Sequence, residues 1–456
     1  MACGAVNDSG DKPTPIDAAL SPDDAALPID DAAPGPDADL SGNATVHTKA
    51  AVAGQVLNAA IADVDVISNL PNGNVLATGK TDAAGSATIK VYPGGAVTAL
   101  YHHSGTNTGA DLFTFVGVAP GDTLEFGQKV IPFTGTNTNL GSQTYTWPAS
   151  PNAGVTNYRV QTSCTSTSVA APGTSSLALA EFAACNRNPM RILYTTTTSN
   201  PTTLVNCGVR TTAFGSGDTV ALGAWSNAVA GSGNLTGLPA SVTSSSVSLS
   251  AVVGGTIELM LLGGGSAGGA PTGGAFTGNF PWCPNLGERT VARVNLARPG
   301  FGSIVVMDSL PATAASVTVA SPMLPPWVEF TALASAYRRS VAWVLANEGA
   351  SAHDAVYLAL GYLQRVNNIS SFGEWHIMMP PNTQSIDLPK LPTALDAFAP
   401  QVDDFGLQVF SLVAIEVPTI SNYDGLRALG IGFAICPDCA IRANEVPRVI
   451  TSGFVF

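Results

Sequence analysis

Gly264-Gly265-Ser266-Ala267-Gly268 comes directly after the apolar run Ile257–Leu262 and satisfies Gly-x-Ser-x-Gly, the spacing of a nucleophilic serine on a sharp turn. That chemistry needs a helix after the serine, so that the hydroxyl stands exposed beside backbone N–H donors. The next residues, Gly269-Ala270-Pro271-Thr272-Gly273-Gly274, cannot form one. A serine hydrolase using Ser266 is therefore the weakest alternative, and no catalytic residue is expected. The segment Gly73–Thr81 ends in Gly79-Lys80-Thr81 like a phosphate-cradling loop, but five residues separate its glycines where four are required. Its alternation predicts a hairpin instead.

Metal chemistry fares no better. The histidines are His47, His102, His103, His353 and His376, and none opens a His-x-x-Glu or a His-Glu-x-x-His pattern. Adjacent strand residues point to opposite faces, so His102 and His103 cannot share an ion, and solvated turn histidines are expected there. Asp37-Ala38-Asp39-Leu40-Ser41-Gly42 opens like a calcium loop, yet Thr48 stands where the twelfth position needs a bidentate Glu. No metal and no cofactor are expected.

Apart from Cys3, the cysteines are Cys164, Cys185, Cys207, Cys283, Cys436 and Cys439. An even number in a chain with few charges and many threonines favours disulfides and an oxidising compartment. Cys436-Pro437-Asp438-Cys439 comes after an apolar stretch, Leu429–Ile435, that reads as a strand, and a local bridge closing a turn is the first choice for it. Cys164 and Cys185 bracket a Ser/Ala-rich excursion, which leaves Cys207 with Cys283.

The first forty residues hold nine Asp, six Pro, nine Ala, one Lys and no aromatic residue. Ordering a backbone costs about 1–2 kcal/mol per residue, and this stretch has almost no apolar surface to bury in return. It reads as an extended spacer over 1–45. At its head, Ala2-Cys3-Gly4 resembles the mature start of a bacterial lipoprotein, in which the cysteine thiol carries a diacylglycerol and an acidic, Pro-rich tether comes next. The resemblance implies Cys3 as the lipid attachment point. With Gly rather than Asp after the cysteine, it also implies the outer membrane as destination.

Charged residues make up 11% of the chain, against about 25% in a typical soluble domain. The spacer accounts for eight of the thirteen net negative charges, so the remainder is only mildly acidic. No basic cluster occurs, which argues against nucleic acid and against electrostatic docking on anionic lipid. No run of about 18 apolar residues appears, so membrane attachment is expected through the lipid alone.

The elements are strands. Val52, Gly54 and Val56, then Val64 and Val66, alternate with small or polar neighbours, as does Ala87–Tyr92; Asn72-Gly73 and Ala84-Gly85 supply turns. The succession Ala53-Gly54-Gln55-Val56, Ala62-Asp63-Val64-Asp65-Val66 and Thr81-Asp82-Ala83-Ala84-Gly85 resembles a carboxypeptidase regulatory-like domain. That resemblance implies a small transthyretin-like β-sandwich over 46–133. Short strands at turn-rich spacing predict a second sandwich-like region over 134–279, ending in a Gly-rich flexible joint. In 280–456, Val341-Trp343-Leu345 and Val356-Leu358-Leu360-Tyr362 alternate and predict a third β-rich domain, with helix as the alternative for 331–346.

The chain is thus expected to be all-β, with several β-sandwich domains after a disordered tether: a non-enzymatic, lipid-anchored surface protein with a structural or adhesive role. A glycan or another envelope protein is the alternative partner, with Trp282, Trp327 and Trp375 as anchors if exposed. Core positions are the commoner place for such side chains.

Overall fold

The computed structural model describes residues 40–49, 59–103, 109–127, 138–162, 165–171, 176–182, 189–198, 203–252, 266–299, 302–320, 324–333, 340–346, 353–366, 369–400, 407–437, 440–441 and 445–455. Cys3, the spacer up to residue 39, and Val52, Gly54 and Val56 lie outside these residues, as do Cys164, Cys185 and Cys439.

Period-2 alternation becomes strands nearly everywhere it occurs. Twelve of them form one sheet. From one edge its order is Ser266–Gly269, Ser244–Val252, Arg289–Ala297, Ser303–Pro311, Arg448–Val455, Gln408–Glu416, Ala355–Val366, Ile369–Met379, Ala110–Val118, Gly95–His102, Asp65–Asn69 and Val75–Lys80. All neighbours run antiparallel except Ile369–Met379 with Ala110–Val118, which are parallel, Trp375 opposite Leu112.

Alternate residues of this sheet face different cores. Val413 and Ile415 join one cluster with Met307 and Val449, whereas Leu412, Ala414, Val306 and Ile450 serve clusters on the opposite face. Three small sheets and two short helices cover these faces. Gly42–Thr48, flanked by Ser86–Val91 and Thr123–Phe126, packs on the first core with the helices Tyr423–Ala428 and Ile431–Ile435. Val229–Thr236, between Phe276–Trp282 and Ser316–Ala320, covers the second. Trp327–Leu333, Ser340–Ala346 and Ser385–Asp387 cover the third. A further sandwich sets the five-stranded sheet containing Met190–Thr197 against a three-stranded one containing Asn139–Thr146, around Tyr145, Tyr158 and Tyr194.

The architecture is all-β with several sandwiches. The expected turn at Ala84-Gly85 is held by Asp82, whose Oδ1 accepts from the N–H of Ala84 (2.8 Å) and of Ser86 (2.9 Å). Residues 340–346 are a strand, as the alternation of Val341 and Trp343 requires.

Three expectations need correction. The boundary at 279/280 falls inside the strand Phe276–Trp282, and the parallel pair of Ala110–Val118 with Ile369–Met379 joins the first sandwich to the C-terminal region through one sheet. The described part of the Gly-rich joint is not a linker: Ser266–Gly269 and Phe276–Trp282 are strands, and a Cβ at Gly278 would lie 2.6 Å from the Cβ of Ala267. Glycine there lets two layers touch. Leu429–Ile435 is a helical turn over Ile431–Ile435, not a strand; Ile431, Gly432, Phe433 and Ala434 are all buried, so a uniformly apolar run carried no period to tell the two apart.

Candidate ligand-binding surface

The hairpin of Ala355–Val366 with Ile369–Met379 positions a connected row of polar and aromatic side chains on the sheet. Direct partners share a face, so Tyr357, Ala359, Gly361 and Leu363 look the same way as Met378, His376, Glu374 and Phe372. The parallel neighbour adds Phe113 opposite His376 and, one pleat along, Asp111. His376 is buried. Its ring stacks on Phe113 at 4.9 Å and 11°. Its Nδ1 lies 2.6 Å from the Tyr357 hydroxyl, and its Nε2 lies 3.0 Å from Glu374 Oε2. A carboxylate can only accept, so Nε2 carries hydrogen; Tyr357 donating to Nδ1 then satisfies all three groups at once. Burial, with the nearby Glu374 carboxylate second, pushes the Tyr357 hydroxyl well above its ordinary pKa and keeps it protonated. The backbone N–H of Glu374 donates to Asp111 Oδ1 at 3.1 Å, and Asp111 Oδ2 lies 3.1 Å from His103 Nε2. This row runs from a sealed phenol to Glu374, whose side chain is 37% exposed.

Next to the row the face turns apolar and open. Phe372 and Leu363, cross-strand partners, are each 45% exposed. The Phe410 ring lies 5.6 Å from that of Phe372, inclined by 29°. The far ends of both rings reach over Gly361: a Cβ there would sit 2.2 Å from the Phe410 ring and 2.7 Å from that of Phe372. Any side chain at 361 would lift the rings off the sheet. The result is an apolar shelf bordered by the Glu374 carboxylate, since Glu374 is the residue opposite Gly361.

At the other end of the same strand, Asp354 accepts from the N–H of Val417 at 2.8 Å. Burial, then the Asp354 carboxylate, push Glu416 up to about 7. His353 is tied to the backbone, its Nε2 lying 2.6 Å from the carbonyl of Pro381.

Of the residues singled out by sequence, His376 and His103 join this row, not as metal ligands but as hydrogen-bond partners of Glu374 and Asp111; the others fall elsewhere. Ser266 is exposed, starts a strand and pairs with Ser248, and the next element is the strand Phe276–Trp282, so no helix backs it. Lys80 ends a hairpin strand and bonds Asp63 at 2.9 Å. Thr48 spends its hydroxyl on the carbonyls of Ile61 and Gly85. His47 meets Ser86 Oγ at 2.7 Å and His102 meets Asp65 at 2.8 Å. His103 is only 15% exposed beside Asp111, and so is not the solvated residue expected. Among the described residues no three metal-binding side chains converge, and no helix is long and apolar enough to cross a membrane. Trp282, Trp327 and Trp375 are 1%, 2% and 0% exposed, which removes them as anchors. Trp375 Nε1 donates to Thr114 Oγ1, itself 2.8 Å from Thr98 Oγ1, so the indole is tied into the sheet centre. Cys207 and Cys283 form a disulfide, and Cys436, the C-cap residue of Ile431–Ile435, is also disulfide-bonded.

No family model matches this chain, and no curated protein does. Among solved structures it is similar to the TIE protein of Bacillus anthracis at 8% identity and a TM-score of 0.14, over 61% of this chain and 49% of that one. The chain thus spans about half of that protein. It is also similar to a streptococcal ancillary pilin at 8% identity and a TM-score of 0.17, over 61% of this chain and 98% of that one. A calcium-stabilised, ice-binding adhesin of an Antarctic bacterium gives 10% identity and a TM-score of 0.12, over 84% and 96%. Scores of this size carry no architecture over to this chain.

Sequence reasoning passed over Phe372, Phe410 and Gly361. Phe372-Gly373-Glu374 does carry a signal, an apolar residue at an outward position of a strand whose neighbouring outward members are polar, but Phe410 comes alongside only through strand pairing.

Proposed function

We propose that this chain is a non-enzymatic bacterial cell-surface protein, held to the outer membrane by lipid on Cys3 and presenting its β-sandwiches in a structural or adhesive role. The observation that carries this reading is the Cys207–Cys283 bridge, which joins strand Leu204–Thr212 to the residue after Phe276–Trp282, with both cysteines 1% exposed. Bridges of this kind persist outside the reducing cytoplasm. The Asp/Pro/Ala spacer after Cys3 supports attachment at a distance from a membrane. The sheet of Gly42–Thr48, Ser86–Val91 and Thr123–Phe126 packed on the strands of 65–118 supports the transthyretin-like reading of that region, although its core continues into the C-terminal part. The face around Phe372 supports a binding role for a glycan or an envelope protein, whereas Ser266, paired within a strand, gives hydrolysis no support.

The test is location. On intact cells of the native host, externally added proteinase should cleave the chain, and labelled palmitate should be incorporated and lost in Cys3→Ser. Resistance of the chain on intact cells, with cleavage only after lysis, would refute surface display. Palmitate retained in Cys3→Ser would refute the anchor.

A further inference from the structure

We propose that the shelf of Phe372 and Phe410, with Glu374 at its border, binds pyranose rings of a glycan; this rests on the surface-protein reading above and names its ligand class. A pyranose has one face of C–H groups and a rim of hydroxyls. The C–H face suits the negative face of an aromatic ring, and the hydroxyls need acceptors. The site offers both within neighbouring residues: two rings inclined by 29° and a carboxylate opposite the glycine beneath them. The carboxylate is preset. Its Oε2 is held at 3.0 Å by His376 Nε2, and His376 is locked by Tyr357 and by stacking on Phe113. Preorganisation of this kind lowers the entropy lost when a weak, polar ligand binds.

A second copy of the chain fits less well. Among the described residues the open apolar surface here amounts to Leu363, Phe372 and part of Phe410, far short of the roughly 800 Å² per partner in a stable protein interface. Glu374 and Asp111 at its edge would also be buried against like charge. A sugar covers a small shelf and brings hydroxyl donors to those carboxylates.

The experiment is affinity electrophoresis of the full chain, disulfides intact, through gels containing xylan, glucomannan, laminarin, hydroxyethylcellulose or glycol chitin. Retardation is expected in at least one, insensitive to about 0.5 M NaCl as befits stacking and neutral hydroxyls. Phe372→Ala should weaken it at least about tenfold, or about 1.4 kcal/mol, and Glu374→Gln several-fold. Val344→Thr, an exposed residue of the sheet Trp327–Leu333/Ser340–Ala346/Ser385–Asp387, should leave it unchanged. Phe372 is 45% exposed, so its truncation should preserve the thermal midpoint, which is measured alongside. No retardation in any gel, retardation equal in Phe372→Ala, or retardation abolished by salt, which would indicate ionic contact rather than stacking, each overturns the proposal. A chain that is displayed on cells but passes every gel freely loses only the glycan; one that is retarded but not displayed loses the surface reading.

Discussion

The Tyr357 hydroxyl lies 2.6 Å from His376 Nδ1, a buried bond between adjacent strands that passes through the imidazole to the half-exposed carboxylate of Glu374. The pair sits inside a core of Phe113, Ala355 and Met378, where an unmatched polar group has no water to turn to.

Tyr357→Phe should therefore destabilise the fold by about 1–3 kcal/mol, since it strands Nδ1 without a partner. His376→Phe alone should cost a similar amount, and the double variant Tyr357→Phe/His376→Phe less than the sum. Urea denaturation of the four proteins checks this. Simple additivity would show the bond to be energetically idle.

The Cys207–Cys283 bridge closes 76 residues of chain. On the chain-entropy model a loop of that size is worth about 4.5 kcal/mol, and replacing the pair by alanines should lower stability by about 2–5 kcal/mol. Peptide mapping without reduction should recover Cys207 joined to Cys283. A native protein whose thiols all react with iodoacetamide without reductant contradicts both the bridge and the compartment it implies.

Glu416 gives the stability a pH slope with a definite sign. Its folded pKa of about 7 exceeds the ordinary 4.5, so between these values the folded chain holds a proton that the unfolded chain has released. The stabilisation is complete below about 4.5 and is lost as pH rises through about 7. Asp354, also raised by burial, acts in the same sense. Denaturation midpoints should fall across that window, and Glu416→Gln should flatten the fall. A midpoint that climbs over this range in the wild type but not in Glu416→Gln would reverse the assignment.

Arg427 pins the helix Tyr423–Ala428 to the sheet. Its guanidinium meets Asp122 Oδ2 and Asp424 Oδ1 at 2.9 Å each, donates to the Gly117 carbonyl at 3.1 Å, and is 5% exposed. Arg427→Met leaves Asp122 without its cation and should cost about 3–5 kcal/mol. Asn422→Ala, which removes the cap on Gly425 N–H, should cost about 1 kcal/mol. Hydrogen exchange of the helix amides measures both, and equal effects would mean that the ion pair holds the helix no more firmly than the cap.

Much of the fold was legible in the order of residues. Strand after strand comes from alternation, as at Val341 and Trp343, and the Asp82–Ser86 turn comes from an Asp able to cap its own backbone. The pairing of Cys207 with Cys283 was reachable by elimination. The hidden part depends on partners far away in the chain. Trp375 reads as core or, if exposed, as an anchor; what fixes it in the sheet centre is Thr114, 261 residues distant, which takes its indole N–H. Gly278 reads as a hinge until Ala267 is packed against it. Phe372 becomes half of a shelf only when Phe410 arrives on the next strand but one.

The strand Arg448–Val455 lies between Ser303–Pro311 and Gln408–Glu416, in the middle of the large sheet, while Ala110–Val118 waits for Ile369–Met379. A ribosome or export channel delivering this polypeptide from its amino end must therefore release residue 455 before the central hydrogen-bond ladder can close, and closing pairs of such wide separation is slow. Until then the early strands are unfinished edges. A chain so wired is an open thread until Arg448–Val455 arrives, and that strand, not an early one, knits the two halves of the sheet together.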